Sequence, residues 1–341
     1  MKKKALITGV NGQDGSYLAE FLLEKNYEVH GIRRRSSHDN LGNLSHLKIT
    51  PGERRNLFLH YGDLTESSNL NAIIQKVKPD EVYNLAAQSH VHTSFRVPEY
   101  TANVNALGVL RLLEAIFNFN KKCKFYQAST SEIFGNSKKK YQNEKTPLNP
   151  CSPYGMSKQY GFQIIKNYRE RGFFACNGIL FNHESPRRST NFVTRKIVEA
   201  ALRIKFKQID KLYLGNIYAK RDWGYAKEFV EAMWKILQQK KPDDFVIATG
   251  KNYTVKYFAE EVFKKLDFNL KWRKKNNQVE AYDYKTKKVL IKIDKFYFRP
   301  TELDSLRGDY SKAKKVFNWS PKTNIKDLIT IMIKAEMEKI L

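Results

Sequence analysis

The chain has 341 residues, 41% of them hydrophobic, which is enough for two ordinary domains or for one large α/β unit with an appended lobe. No apolar run approaches the roughly 18 residues of a membrane span, and the first residues lead into a strand pattern in place of a signal-peptide core, so cytoplasmic residence is the expectation. The 61 lysines and arginines against 35 acidic residues give a net charge of +26, but the cations are interleaved with acids and accompany no zinc-finger, RNA-binding or heptad-linked basic pattern; anionic small molecules are expected as partners, not nucleic acid.

Apolar strands then alternate with amphipathic helices in chain order. Residues 5–10 read as a strand, 18–25 as a helix, 27–32 as a strand and 57–61 as another. A helix near 69–77, a strand at 81–85, a helix from about 100 to 118 and a strand at 124–128 follow. Residues 152–171 read as a helix, with Pro153 where a first turn tolerates it, and 175–181 as a strand. From Glu184 the regularity drops: Lys271 to Lys275 reads as a polar turn, 288–293 as a short strand and 325–340 as a closing amphipathic helix. The βαβα alternation predicts an α/β fold, a doubly wound parallel Rossmann sheet over residues 1–183, with a smaller C-terminal substrate-binding lobe over 184–341, some of whose segments return to the core. Cys123, Cys151 and Cys176 have no CxxC spacing, so neither a disulfide framework nor a metal site is indicated.

Between the first strand and the first helix stands Gly9-Val10-Asn11-Gly12-Gln13-Asp14-Gly15. Its spacing is GxxGxxG, not the commonest GxGxxG, and glycines also end strands in ordinary turns. The position nevertheless suits a dinucleotide pyrophosphate approaching backbone N–H groups at a helix N-terminus. After the second strand, where NAD sites usually carry an acid, this chain has Arg33 followed by Arg34, Arg35, Ser36 and Ser37. Guanidinium and hydroxyl groups suit the 2′-phosphate of NADP; a solvated basic turn is the alternative. Asp63 and Leu64 are placed to touch the adenine, and Leu85, Ala86, Ala87, Gln88 and Ser89 bring small and polar side chains near the cofactor, Ser89 reaching towards substrate as well.

Tyr154 and Lys158 lie four apart on the predicted helix and so share a face, where an ammonium can stabilise a phenolate. They follow Ser129-Thr130-Ser131, and Glu132 adds a carboxylate that points to a second proton abstraction. This set resembles the extended short-chain dehydrogenase/reductase superfamily. Gln127-Ala-Ser-Thr-Ser-Glu132, the stretch from Asn177 to Arg188, Phe192-Val-Thr-Arg-Lys196, Arg221-Asp-Trp-Gly224, Asp244 to Gly250 and Phe298-Arg-Pro-Thr-Glu302 narrow the resemblance to GDP-mannose 4,6-dehydratases, over about residues 3 to 335.

The resemblance implies that Tyr154, helped by Lys158 and Thr130, takes the sugar C4 hydroxyl proton as hydride leaves for NADP, and that Glu132 then removes the C5 proton and assists loss of the C6 hydroxyl. It implies cofactor roles for Tyr100, His183 and Arg188, and for Lys158 besides its catalytic one. It implies GDP-sugar contacts for Asn182, Val193, Lys196, Arg221, Arg299 and Glu302, alongside Glu132 and Tyr154, and a homodimer or homotetramer. Trp223 reads as core as readily as ligand platform. Departures from the family pattern stand at Tyr160-Gly-Phe-Gln163 and at His92-Thr93. GDP-D-mannose is the expected substrate, with GDP-manno-heptose as runner-up and a catalytically silent basic binding protein as the alternative of another class.

Overall fold

The computed structural model describes residues 2–37, 41–47, 56–275 and 278–340. The chain begins with β1 (Lys4–Thr8), α1 (Gln13–Glu24), β2 (Glu28–Arg33), β3 (Leu57–Tyr61), α2 (Ser67–Val77) and β4 (Glu81–Asn84). Short helices α3 (Val91–Ser94) and α4 (Pro98–Ala102) lead through a π-helical turn, Asn103–Leu107, into α5 (Gly108–Phe119). Then come β5 (Lys124–Thr130), α6 (Pro153–Glu170), β6 (Ala175–Leu180), β7 (Asn182–Glu184), α7 (Val193–Lys205), β8 (Leu212–Leu214), β9 (Lys220–Arg221) and β10 (Trp223–Tyr225). The remainder is α8 (Ala226–Leu237), β11 (Asp244–Ile247), β12 (Tyr253–Thr254), α9 (Val255–Lys265), β13 (Leu270–Lys275), β14 (Gln278–Asp283), β15 (Val289–Ile293), α10 (Ser311–Phe317) and α11 (Ile325–Ile340).

Seven strands form one parallel sheet in the order β11-β6-β5-β4-β1-β2-β3. The chain winds outward from β1 to β3, then returns to β4 on the other side of β1. That reversal opens a crevice at the carboxyl ends of β1 and β4, the place where such sheets bind ligands. Helices cover both faces, which is why β4 and β6 are buried along their whole length. One core packs α1 and α8 against the sheet through Leu18, Leu22, Phe229 and Met233; the opposite core packs α2, α5 and α6 through Ile74, Leu112 and Ile165. The doubly wound α/β architecture expected from the alternation is therefore present.

The predicted helix near residues 100–118 is present and runs without interruption through the π-helical turn, where it widens by one residue. There Asn105 exchanges two 2.9 Å hydrogen bonds with the Gln88 backbone, so the extra residue in the turn anchors the loop after β4.

The second lobe corrects the sequence reading in two places. Helices α7, α9 and α11 pack together over a four-stranded sheet of order β13-β14-β15-β8, whereas α7, α8 and α9 lie in a stretch that the sequence alone left irregular. Lys271 to Lys275 belongs to β13 and is not a turn. Leu270 and Trp272 alternate inward onto the second core while Lys271, Arg273, Lys274 and Lys275 stay exposed, so the four cations mask a period of two. Trp223 is 2% exposed and packs on Phe258 at 5.2 Å between ring centroids, and it also borders the cavity described below.

Candidate active site

The glycine loop fills the crevice edge with backbone. Gly9 has φ +67°, and a Cβ there would lie 2.9 Å from the Ala86 Cα; at Gly15 a Cβ would lie 2.3 Å from the Gly9 carbonyl oxygen. Gly12 at the start of α1 offers no side-chain cap, so the helix end is open to an anion. Val10 is fully buried in the core and faces away from the crevice; any part it has in binding is a backbone one. Gly15→Ala is expected to force the loop open and weaken dinucleotide binding by about 10-fold or more, ~1.4 kcal/mol, with the thermal unfolding temperature of the free protein as control for the fold.

Beyond the loop lies a cavity of about 650 Å³ that draws on both lobes. Asp14, Leu85, Ala87, Ser89, Thr130, Glu132, Tyr154 and Lys158 line it from the first lobe; Asn182, His183, Arg188, Val193, Lys196, Arg221, Arg299 and Glu302 line it from beyond β6. Gly9, Val10, Asn11, Gly12, Gln13, Gly15, Arg34, Arg35, Ser36, Ser37, Asp63, Leu64, Ala86, Gln88 and Tyr100 are outside that lining. Of these, Arg34 donates to the Tyr100 hydroxyl at 2.7 Å, and Arg33 and Arg35 stand over the Tyr61 ring at 4.8 and 5.5 Å, a cationic cluster beyond β2. Asp63 spends one carboxylate oxygen on the Thr65 amide and hydroxyl, both at 2.9 Å; Leu64 is buried under α5.

Strand β5 and helix α6 set the reacting groups. Thr130 ends β5, and its hydroxyl accepts the Glu132 amide at 3.3 Å, which starts the short helical turn carrying Glu132. Ser152 caps α6 through the Gly155 amide at 3.0 Å, and Ser94 of α3 accepts the Tyr154 amide at 3.2 Å, so Tyr154 sits at a doubly fixed helix end. Burial pushes the Tyr154 phenol up to about 12, and the Thr130 hydroxyl works against that by hydrogen-bonding to it. Lys158 lies one turn on, its ammonium 6.0 Å from the Tyr154 ring and donating to the Ala128 carbonyl at 2.9 Å; burial brings it down to about 8. At neutral pH it is still charged. Glu132 receives the Arg299 guanidinium at 3.4 Å.

The second-lobe side chains are held as firmly. Arg221 is 7% exposed and donates to the Leu303 carbonyl at 2.7 Å. Lys196 lies over the Tyr297 ring at 3.3 Å, and burial lowers it to about 8. Arg188 pairs with the buried Glu184 at 3.2 Å and covers the Phe192 ring at 3.5 Å. Around the cavity six cations stand against four acids, a balance suited to a diphosphate. His90, His92, Thr93, Asn191, Phe192, Asn216, Phe296 and Tyr297 also line it and were not among the expected site residues. The usable signal was proximity: each lies within a few residues of a motif. Among the described residues no group of three or more His, Cys, Asp or Glu side chains is arranged to hold a metal ion, and no helix is long and apolar enough to cross a membrane.

A nucleotide-sized crevice at the sheet's switch point, with a Tyr/Lys pair at its floor and a cationic second lobe above it, defines an enzyme of the extended short-chain dehydrogenase/reductase type. Solved structures agree on the fold: a dTDP-glucose 4,6-dehydratase from Bacillus anthracis in complex with NAD is 21% identical with TM-score 0.80, covering 98% of this chain and 97% of that one. RMD from Pseudomonas aeruginosa complexed with NADPH is 20% identical with TM-score 0.76, covering 99% and 100%. Sequence goes further. The profile described as GDP-mannose 4,6 dehydratase matches residues 6–332. A protein of that name from Drosophila melanogaster is 52% identical, covering 98% of this chain and 86% of the relative, and one from Vibrio cholerae is 51% identical, covering 99% and 95%. The chain belongs to the GDP-mannose 4,6-dehydratase family.

Proposed function

We propose that the enzyme converts GDP-D-mannose to GDP-4-dehydro-6-deoxy-D-mannose with loss of one water, using NADP, with Thr130, Glu132, Tyr154 and Lys158 as its reacting groups. The observation that carries this reading is their convergence, from β5 and α6, on one cavity whose other wall is cationic. Family membership supplies the substrate; relatives from animals, plants and bacteria at 48–52% identity carry the GDP-mannose name, so GDP-manno-heptose is not favoured and the silent basic binder has no support.

A nicotinamide bound at the glycine loop supplies a place for one hydride to be held and returned. Tyr154 accepts the C4 hydroxyl proton, with Lys158 and the Thr130 hydroxyl favouring its ionised form. Once C4 is a ketone, the C5 hydrogen is acidic. Glu132 takes it and passes a proton to the departing C6 hydroxyl, which leaves as water; with the hydride returned at C6, a proton delivered to C5 balances the one Tyr154 accepted at C4 and completes the 6-deoxy sugar. Arg299 orients the Glu132 carboxylate, and Lys196, Arg221 and Arg299 meet the diphosphate end; Glu302, whose carboxylate accepts the Arg299 amide at 3.2 Å, suits ribose hydroxyls. Incubating the protein with GDP-mannose and NADP+ tests the reading: the mass spectrum should show a nucleotide sugar lighter by one water, and unchanged substrate would contradict it.

The preference for NADP rests on the cluster of Arg33, Arg34 and Arg35 with Tyr61 and Tyr100. Replacing Arg34 and Arg35 by alanine is expected to weaken NADP+ by about 10-fold or more, the loss of charge-assisted contacts to one phosphate, with little change for NAD+. Equal losses for the two would contradict a 2′-phosphate role. A homodimer or homotetramer, working in the cytoplasm, completes the proposal. Exposed Leu107, Met156 and Tyr160 beside α5 and on α6 favour self-association, which light scattering measures.

A further inference from the structure

After β15 the chain leaves the second lobe and returns to the first, where Leu303 and Leu306 are buried with Ile133, Phe134 and Ile179. Arg299 and Glu302, both in the cavity lining, sit on that crossing. From Leu303 onward burial fixes the path, but residues 299–302 are exposed or half-buried. Among the described residues, three polar contacts tie this strap to the first lobe. One is the Arg299 guanidinium on Glu132 at 3.4 Å. In the second, the Asn136 amide donates to the Glu302 carbonyl at 2.9 Å while its oxygen accepts the Asp304 N–H at 3.0 Å, so one side chain spans the backbone on both sides of Leu303. The carbonyl between them, that of Leu303, is taken by Arg221 at 2.7 Å. In the third, the Thr301 hydroxyl donates to the Cys151 carbonyl at 2.6 Å.

Both first-lobe anchors adjoin the reacting groups. Asn136 stands four residues after Glu132, just past the short helical turn that holds it, and Cys151 directly precedes Ser152, whose hydroxyl caps the helix of Tyr154. The two anchoring segments are joined to each other, the Asn149 amide donating to the Ile133 carbonyl at 2.9 Å. One amide and one hydroxyl thus set the distance from Glu132 and Tyr154 to the side chains expected to meet the nucleotide. We propose that Asn136 and Thr301 are positioning residues, which seat Arg299 and Glu302 beside the catalytic turn and thereby set the affinity for the GDP half of the substrate. The proposal rests on the GDP-sugar reading of the cavity. Neither side chain lines that cavity and both are exposed, so replacing them removes hydrogen bonds without opening the core or deleting a ligand contact.

The test combines Asn136→Ala with Thr301→Val, which together remove three hydrogen bonds and leave the volume at residue 301 nearly unchanged. Calorimetric titration with GDP should show binding weakened by about 10-fold, each single change giving part of the loss. KM for GDP-mannose should rise in step, and kcat should fall by less than KM rises, because the strap holds the substrate before and during reaction alike. NADP+ affinity and the thermal unfolding temperature should stay close to those of wild type; contacts that serve only the fold would shift the unfolding temperature and weaken both ligands together. Thr301→Ser keeps the hydroxyl and should recover most of what Thr301→Val loses. GDP bound equally well by wild type and the double variant, equal losses for GDP and NADP+, or a serine variant no better than the valine one would overturn the proposal. The GDP titration needs no turnover, so a wild type that binds GDP but leaves GDP-mannose unreacted would end the dehydratase reading, and the same variants would still decide the role of Asn136 and Thr301.

Discussion

Glu132→Gln should reduce water loss by about 10²–10⁴, the usual worth of one positioned acid–base group, while leaving oxidation at C4 in place. Glutamine has nearly the same volume and still offers an oxygen to Arg299, whose guanidinium lies 3.4 Å from the carboxylate, so the local packing changes little. What disappears is the oxygen that, in the proposed mechanism, takes the C5 hydrogen and relays a proton to the leaving hydroxyl. The check is a quench with borodeuteride: the variant should yield a hexose labelled at C4 with its C6 oxygen intact. Undiminished water loss would remove Glu132 from the reaction.

Tyr154→Phe should stop the reaction one step earlier, with a loss of similar size or greater. The phenol is 9% exposed; deleting its oxygen leaves a hydrophobic ring of matching shape on the same fixed helix end. Neither the C4-labelled hexose nor the dehydrated product should then form in the quench experiment, although GDP-mannose should still bind. If the labelled hexose accumulated instead, another group would have to accept the C4 proton. The two variants together order the steps, because Tyr154→Phe should leave the substrate unreacted whereas Glu132→Gln should stop at the C4-oxidised sugar.

Much of this was legible in the sequence where a pattern is local. Residues 57–61 and 325–340 are bounded as the apolar pattern predicts, and the position of the glycine loop follows from strand, turn and helix signals within a dozen residues. Legibility fails where charge hides a period, as in β13, where four cations surround Leu270 and Trp272. It fails again where a contact joins distant residues: Glu132 and Arg299 are 167 apart, and Asp14 and His183 are 169 apart. Spacing puts Tyr154 and Lys158 on one face, but no spacing rule pairs a glycine-loop carboxylate with a histidine on β7. His92 and Phe296, whose rings stand 6.5 Å apart in the cavity lining, likewise come together only through the fold.

Strand β11 has a consequence for how the chain is made. It pairs with β6 from Asp244↔Asn177 to Ile247↔Leu180, and β6 is buried at every residue, so the big sheet has a raw hydrophobic margin until Ile247 has left the ribosome. An unpaired margin of that kind invites strand addition by other chains. A nascent chain paused between β6 and β11 would hold the glycine loop, Tyr154 and Lys158 already synthesised yet be sticky, and a fragment ending at residue 183 would inherit the same defect. Synthesis through β11 closes that margin of the large sheet, while the second core still waits for α9, β13 to β15 and α11.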